Sequence, residues 1–210
     1  MDTQQRQTTK EESPTVATVD LYWIPLGAGA HVVRLSGKLF EAISARLHRR
    51  RSCDLYHSAL VVVVPDGRFV IEQTPVARAE GSQHGAVVEG AVGTRLAGRF
   101  RVFRYEVRRW RDGVIPDVAD AVASPVRVAE DLARASQVLD LVPSVPPLVW
   151  GRDERHTGEM WNSNSVISWL LARAGIDARG IQPPRPGRAP GWRAGLVVAS
   201  RDASRQASTE

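Results

Sequence analysis

The stretch Leu55–Gln73, LYHSALVVVVPDGRFVIEQ, determines the fold class of this chain. Its first half, Leu55–Val64, is mostly apolar and β-branched, which is typical of a buried strand. Pro65-Asp66-Gly67 has the residue types of a tight turn, and Arg68–Gln73 then resumes an apolar pattern. The stretch therefore predicts a β-hairpin.

Further strands are expected on both sides of the hairpin. Val19–Pro25 and Gly85–Val92 are short apolar segments, and Phe100–Val107 alternates apolar and charged residues. Leu196–Val198 is expected to close the sheet as an edge strand.

Three helices are also predicted. The first carries Leu35, Leu39, Ile43 and Leu47 at every fourth position, with Ser36 as its N-cap. The second is expected to start at Ser124-Pro125 and to end near Leu139, and the third runs over Ser163–Ala174 with Gly175 as its stop. Strands followed by helices predict an α+β fold, in which an antiparallel sheet packs against helices.

Length and composition indicate one ordinary globular domain. The chain has 210 residues, of which 43% are hydrophobic, and we expect a single domain over residues 19–200. The polar segments 1–18 and 201–210 are expected to be disordered tails. No stretch approaches the roughly 18 apolar residues of a membrane span. Cys53 is the only cysteine, which rules out an intramolecular disulfide and favours the cytoplasm. We expect no metal and no cofactor.

The positive charge of the chain is diffuse. The formal net charge is +5, and the arginines are spread along the sequence. Nucleic-acid binding is not expected, because we find neither a basic stripe with aromatic stacking groups nor a known module. The run Arg46–Arg51 could give weak contact with an anionic membrane, and a solvated end of the first helix is the alternative interpretation.

The segment Trp161–Leu171, WNSNSVISWLL, carries the candidate nucleophile. At about 100° per residue, Ser163 lies near the centre of the apolar arc of this helix and Ser165 lies on the opposite side. The positive end of a helix favours a developing oxyanion, so Ser163 is a candidate nucleophile. The alternative is that Asn162 or Ser163 simply caps the helix.

The hairpin supplies candidates for a base and an orienting group. His57 lies within an apolar strand, where an imidazole needs a partner, and Glu72 lies on the adjoining strand. With Ser163 they would form a nucleophile, base and carboxylate set. A hydrogen-bonded core histidine is the alternative.

These residues resemble the circularly permuted branch of the NlpC-type, papain-like superfamily, which includes YiiX-like bacterial hydrolases and lecithin-retinol acyltransferases. The resemblance is carried by Tyr56–Pro75 and by the Asn-Ser-x-x-Val-Ile helix start. It implies a permuted papain-like fold with His57 as base, Glu72 as orienting residue and Ser163 as nucleophile. Ser163 stands where that branch has cysteine, and a serine hydroxyl needs a well-aligned base.

A second resemblance covers most of residues 20–198. It is to a bacterial family that carries Asn-Ser-Asn-(Ser/Thr) at this helix and a segment like FRVFRYEVRRWRDGVIPD, and it implies a fold without an activity.

The resemblance to the permuted papain-like branch implies a hydrolase or acyltransferase that cleaves an amide or ester bond through an acyl-Ser163 intermediate. Its substrate would be a peptide or a lipid-like small molecule, bound by Tyr56, Trp161 and Asn162. The alternative is a catalytically inactive domain that binds a peptide or lipid ligand. The oligomeric state is left open.

Overall fold

A computed structural model describes residues 17–26, 54–76, 85–115 and 118–208 of the chain. Six strands form one antiparallel sheet in the order β4-β5-β3-β2-β1-β6. The strands are β1 (Thr18–Pro25), β2 (Tyr56–Val64), β3 (Gly67–Pro75), β4 (Ala86–Ala91), β5 (Arg104–Arg111) and β6 (Val126–Ala129). The α-helices within the described ranges are α1 (Leu132–Leu141), α2 (Ser163–Arg173) and α3 (Trp192–Ala207). The predicted α+β fold and its antiparallel sheet are confirmed.

Some predictions fall on residues that the structure does not describe. They are the first helix with its stripe from Leu35 to Leu47, the run Arg46–Arg51, Cys53, and residues 1–16 of the expected N-terminal tail.

The two faces of the sheet carry separate apolar clusters. In the β2–β3 hairpin Leu60 pairs with Ile71 and Val61 pairs with Val70, as the predicted turn requires. Leu60 and Ile71 belong to the larger cluster, which includes apolar residues from each of the three helices; we call this side of the sheet the helix face. Val61 and Val70 belong to a smaller cluster on the opposite side, which we call the second face. Strand β2 is therefore buried on both faces.

The second predicted helix starts later than expected. Residues 126–129 form β6, which pairs with β1, and α1 begins at Leu132 with Asp131 as its N-cap. The hydroxyl of Ser124 accepts a hydrogen bond from the backbone N–H of Trp23 at 2.9 Å, so it closes a contact to β1 instead of capping a helix. The expectation of a helix from Ser124-Pro125 was wrong because a long-range contact satisfies the capping group.

Strand β5 is also displaced from its predicted position. The expected strand Phe100–Val107 begins only at Arg104 and continues to Arg111, while Arg101–Phe103 form a short 3-10 turn.

The C-terminal segment is helical. Leu196–Val198, expected to be an edge strand, lies inside α3, which continues through residues 201–207 of the expected disordered tail. The buried positions of α3 are Ala194, Gly195, Val198 and Ala199, a spacing typical of one helix face. A Cβ on Gly195 would lie 2.1 Å from the Ser168 hydroxyl, so glycine permits the close approach of α3 to α2. Both predictions were wrong because contact with α2 stabilises this helix.

None of the described helices has the long apolar stretch that crossing a membrane requires.

Candidate functional site

The N-terminus of α2 is closed by a reciprocal capping box. The side-chain oxygen of Asn162 accepts hydrogen bonds from the backbone N–H groups of Asn164 at 2.9 Å and Ser165 at 3.3 Å. The Ser165 hydroxyl in turn accepts from the backbone N–H of Asn162 at 3.1 Å. Capping by Asn162, one of the two interpretations of this segment, is confirmed. Two amide donors at the helix tip are therefore already used.

Asn164 attaches this helix tip to the sheet. Its buried side-chain amide donates to the carbonyls of Tyr56 and Pro190, each at 2.9 Å. Its side-chain oxygen accepts a hydrogen bond from the Ser58 hydroxyl, also at 2.9 Å. No sequence pattern indicates this role, because Asn164 is an ordinary polar residue in the first helical turn.

Ser163 is the first residue of α2 and is buried, with 5% of its surface exposed. Among the described residues no hydrogen bond joins its hydroxyl to His57 or to any other group. Ser165, predicted on the opposite side of the helix, is buried and donates to the Gly191 carbonyl at 2.8 Å, at the start of α3. Of Ser163 and Ser165, Ser165 is therefore the one with described side-chain hydrogen bonds.

His57 and Ser58 point to opposite faces of β2, and Ser58 is the residue that contacts α2. Successive side chains of a strand point to opposite faces, and Ser58 is directed to α2. His57 pairs with Ile24, which belongs to the second-face cluster. The imidazole is thus placed on the second face, and burial lowers the pKa of His57 to about 4. His57 is neutral at pH 7.

Glu72 also lies on the second face, where it meets an arginine. It pairs in register with Arg108 of β5, and an Arg108 guanidinium nitrogen lies 3.9 Å from a Glu72 carboxylate oxygen. Arg108 also forms a close ion pair with Glu106, and both glutamates are buried. This cluster could have been predicted from the sequence of β5, because alternate residues of a strand point to the same face and Glu106 and Arg108 are two residues apart. The structure therefore places His57 and Glu72 on one face and does not connect Ser163 to either.

The expected substrate-binding residues are placed in packing roles. Trp161 and Tyr56 are both buried in the helix-face cluster. A Cβ on Gly187 would lie 2.1 Å from the Tyr56 ring, so the chain passes directly over it. The Asn162 side chain is used by the capping box and by the Pro190 carbonyl, to which it donates at 2.9 Å. Tyr56 and Trp161 are therefore core residues, and Asn162 is the N-cap of α2.

Gln73 was not singled out from the sequence. Ile71, two residues earlier in β3, belongs to the helix-face cluster, and Gln73 pairs with Val107 of the same cluster. Within the described structure both polar atoms of its buried side chain lack a hydrogen-bond partner. An unpartnered buried amide is costly, so this position requires an explanation.

Comparisons with protein-family models, with curated proteins and with solved structures found no match. In the part of the chain that the structure describes, no group of three His, Cys, Asp or Glu side chains is arranged to hold a metal ion. The function must therefore be inferred from the geometry of the helix tip and of the two sheet faces.

Replacing Asn164 is expected to destabilise the fold far more than replacing Ser163. Asn164→Ala leaves the Ser58 hydroxyl and the Tyr56 carbonyl without this partner, at roughly 1–3 kcal/mol for each buried group. Ser163→Ala removes no described hydrogen bond, so it should lower the free energy of unfolding by less than Asn164→Ala does. Urea denaturation of the two variants checks this. Equal losses in both would contradict the anchoring role of Asn164.

The pKa of His57 predicts a pH dependence of stability. Its pKa is about 4 in the fold and 6.5 in the unfolded chain, so the unfolded state binds more protons between these values. The free energy of unfolding should fall as pH is lowered through this range, by at most about 1.4 kcal/mol per pH unit from this group. His57→Gln should lack this component in urea titrations. A His57 pKa near its ordinary value, measured by NMR, would contradict the prediction.

Proposed function

We propose that this chain is a non-catalytic binding domain, in which the tip of α2 is a structural anchor and the ligand is a peptide or a lipid-like small molecule. The observation that carries the proposal is the capping box. The Asn162 side chain accepts hydrogen bonds from the backbone N–H groups of Asn164 and Ser165. Without this cap, the two N–H groups would be available to stabilise an oxyanion at the helix tip. A nucleophile at position 163 would lack that support.

The properties of His57 support the same proposal. A general base works best with a pKa near the operating pH, and burial lowers that of His57 to about 4. Its neighbour Ser58 occupies the strand position that faces α2. Serine chemistry depends more strongly on an aligned base than cysteine chemistry does, so this placement weighs heavily against turnover.

The buried amide of Gln73 supports the proposal that the domain binds a ligand. This amide is buried on the same face of the sheet as α2, and a ligand with a polar group would supply the missing partner. The ligand classes follow from the resemblance to the permuted papain-like branch, whose members act on peptides and on lipid acyl groups. The single cysteine favours action in the cytoplasm.

A serine hydrolase or acyltransferase is the second candidate. One observation favours it: Ser163 occupies the first position of α2, where the helix dipole favours a developing negative charge. This activity would cleave an amide or ester bond through an acyl-Ser163 intermediate and would require a base to reach the hydroxyl.

Labelling with a fluorophosphonate probe separates the two candidates. We expect no labelling of the wild-type chain and no difference in Ser163→Ala, because no base is aligned with the hydroxyl. Labelling of the wild type that is lost in both Ser163→Ala and His57→Ala would establish the hydrolase instead.

A cysteine at position 163 provides a second measurement. In a Cys53→Ser background, Ser163→Cys should react with iodoacetamide as an ordinary thiol, with no pKa lowered below about 8.5. Ser204→Cys, at an exposed position of α3, serves as the matched control. A thiol at 163 that is clearly more acidic than the thiol at 204 would show that a base or cation is in place.

The unpartnered amide of Gln73 predicts an unusual response to mutation. Gln73→Leu removes two buried polar atoms and keeps a similar volume, so the free energy of unfolding should stay constant or rise. Ser58→Ala, which breaks the bond to Asn164, should lower it. Urea denaturation of both variants checks the contrast. A loss of stability in Gln73→Leu that equals the loss in Ser58→Ala would mean that Gln73 has a structural partner.

A further inference from the structure

The connection between β4 and β5 exposes apolar and basic side chains side by side. We call residues Arg95–Arg104, RLAGRFRVFR, the Arg-Phe loop. Its four large apolar side chains are well exposed: Leu96 70%, Phe100 65%, Val102 55% and Phe103 47%. Isolated exposed apolar residues are normal on a surface, but a contiguous group marks an interaction site.

The backbone of the Arg-Phe loop is held by hydrogen bonds. It contains two 3-10 turns, Ala97–Arg99 and Arg101–Phe103. The Ala97 N–H donates to the Thr94 hydroxyl at 3.1 Å, and the Val92 N–H donates to the Phe103 carbonyl at 2.8 Å. The apolar side chains are thus presented on an ordered backbone.

The arginines of the Arg-Phe loop are only partly neutralised. Arg95 pairs with Glu154 at 2.7 Å, and Arg104 pairs with Glu89 at 2.5 Å. No carboxylate of the described residues pairs with Arg99 or Arg101, and both side chains are exposed. Two positive charges without a described counter-ion therefore lie beside the exposed phenylalanines.

We propose that the Arg-Phe loop docks this chain on an anionic lipid bilayer. Apolar side chains partition into the acyl boundary, while arginine side chains reach the lipid phosphates with their charged ends. Both components are present here, and the uncompensated charge is complementary to acidic headgroups. The chain would then bind the bilayer as a peripheral membrane protein, through the Arg-Phe loop alone.

The composition of the loop favours a bilayer over other partners. A single-stranded nucleic acid would stack on Phe100 and Phe103, but Leu96 and Val102 offer it no stacking surface. A stable protein interface buries about 800 Å² on each partner, more than one ten-residue loop provides. Aliphatic and aromatic side chains can both insert into the acyl boundary of a bilayer. The inference concerns a surface separate from Ser163 and holds whether or not Ser163 is a nucleophile.

Vesicle sedimentation tests the proposal. The full chain should bind vesicles of equimolar phosphatidylserine and phosphatidylcholine, bind phosphatidylcholine vesicles weakly, and be released by salt. Arg99→Gln with Arg101→Gln should weaken binding about 30-fold, because the loss of each charge weakens it roughly fivefold. Phe100→Ser with Phe103→Ser should weaken it at least as much, because both inserted rings are lost.

Matched controls keep the result specific to the loop. Leu132→Ser removes an exposed apolar residue on α1, and Arg179→Gln with Arg193→Gln removes two exposed charges elsewhere. These variants should bind as the wild type does, and circular dichroism should show that every variant keeps its fold. Absence of binding by the wild type, or equal binding by the loop variants and the controls, would overturn the proposal. So would loop-dependent binding to a single-stranded oligonucleotide with no binding to vesicles.

Discussion

The side chain of Asn164 is the contact on which the arrangement of the helix face depends. It joins the start of α2 to the backbone of β2 and to the segment before α3, and it receives the Ser58 hydroxyl. A buried amide with both ends satisfied fixes the rotation of its helix, since turning the helix would leave several buried groups unpaired at about 1–3 kcal/mol each. The helix tip is therefore held in one orientation. Asn164 forms the contacts to the sheet, and the neighbouring Ser163 does not.

The face to which each residue of β2 points decides the chemistry of the site. His57 and Ser58 are adjacent, so only one of them can face α2, and the bond to Asn164 selects Ser58. His57 then shares the second face with Glu72, as expected from the paired strands. The Glu72 carboxylate, however, lies next to the Arg108 guanidinium. A strand shifted by one residue would reverse every one of these assignments.

Sequence patterns identified the elements whose signals are local. The hairpin follows from Pro65-Asp66-Gly67, and α2 follows from Asn162 and its apolar arc. The orientation of β2 could not be predicted, because a strand buried on both sides is apolar at odd and even positions alike. The start of α1 and the state of Leu196–Val198 were missed because contacts to β1 and α2, distant in sequence, override local preference.

The Arg-Phe loop shows how pairing determines the effect of charge. In the sequence the arginines are spread along the chain. In the structure Glu154 pairs with Arg95 and Glu89 pairs with Arg104. Arg99 and Arg101 have no described carboxylate partner and are adjacent in sequence to exposed phenylalanines. The segment that supports this loop also leads into α2, because Val92 bridges to Trp150 and Trp150 bridges to Trp161. An ordered loop loses less conformational entropy on binding than a flexible one. These two bridges thus connect the Arg-Phe loop, through Trp150, to the residue before the N-cap of α2.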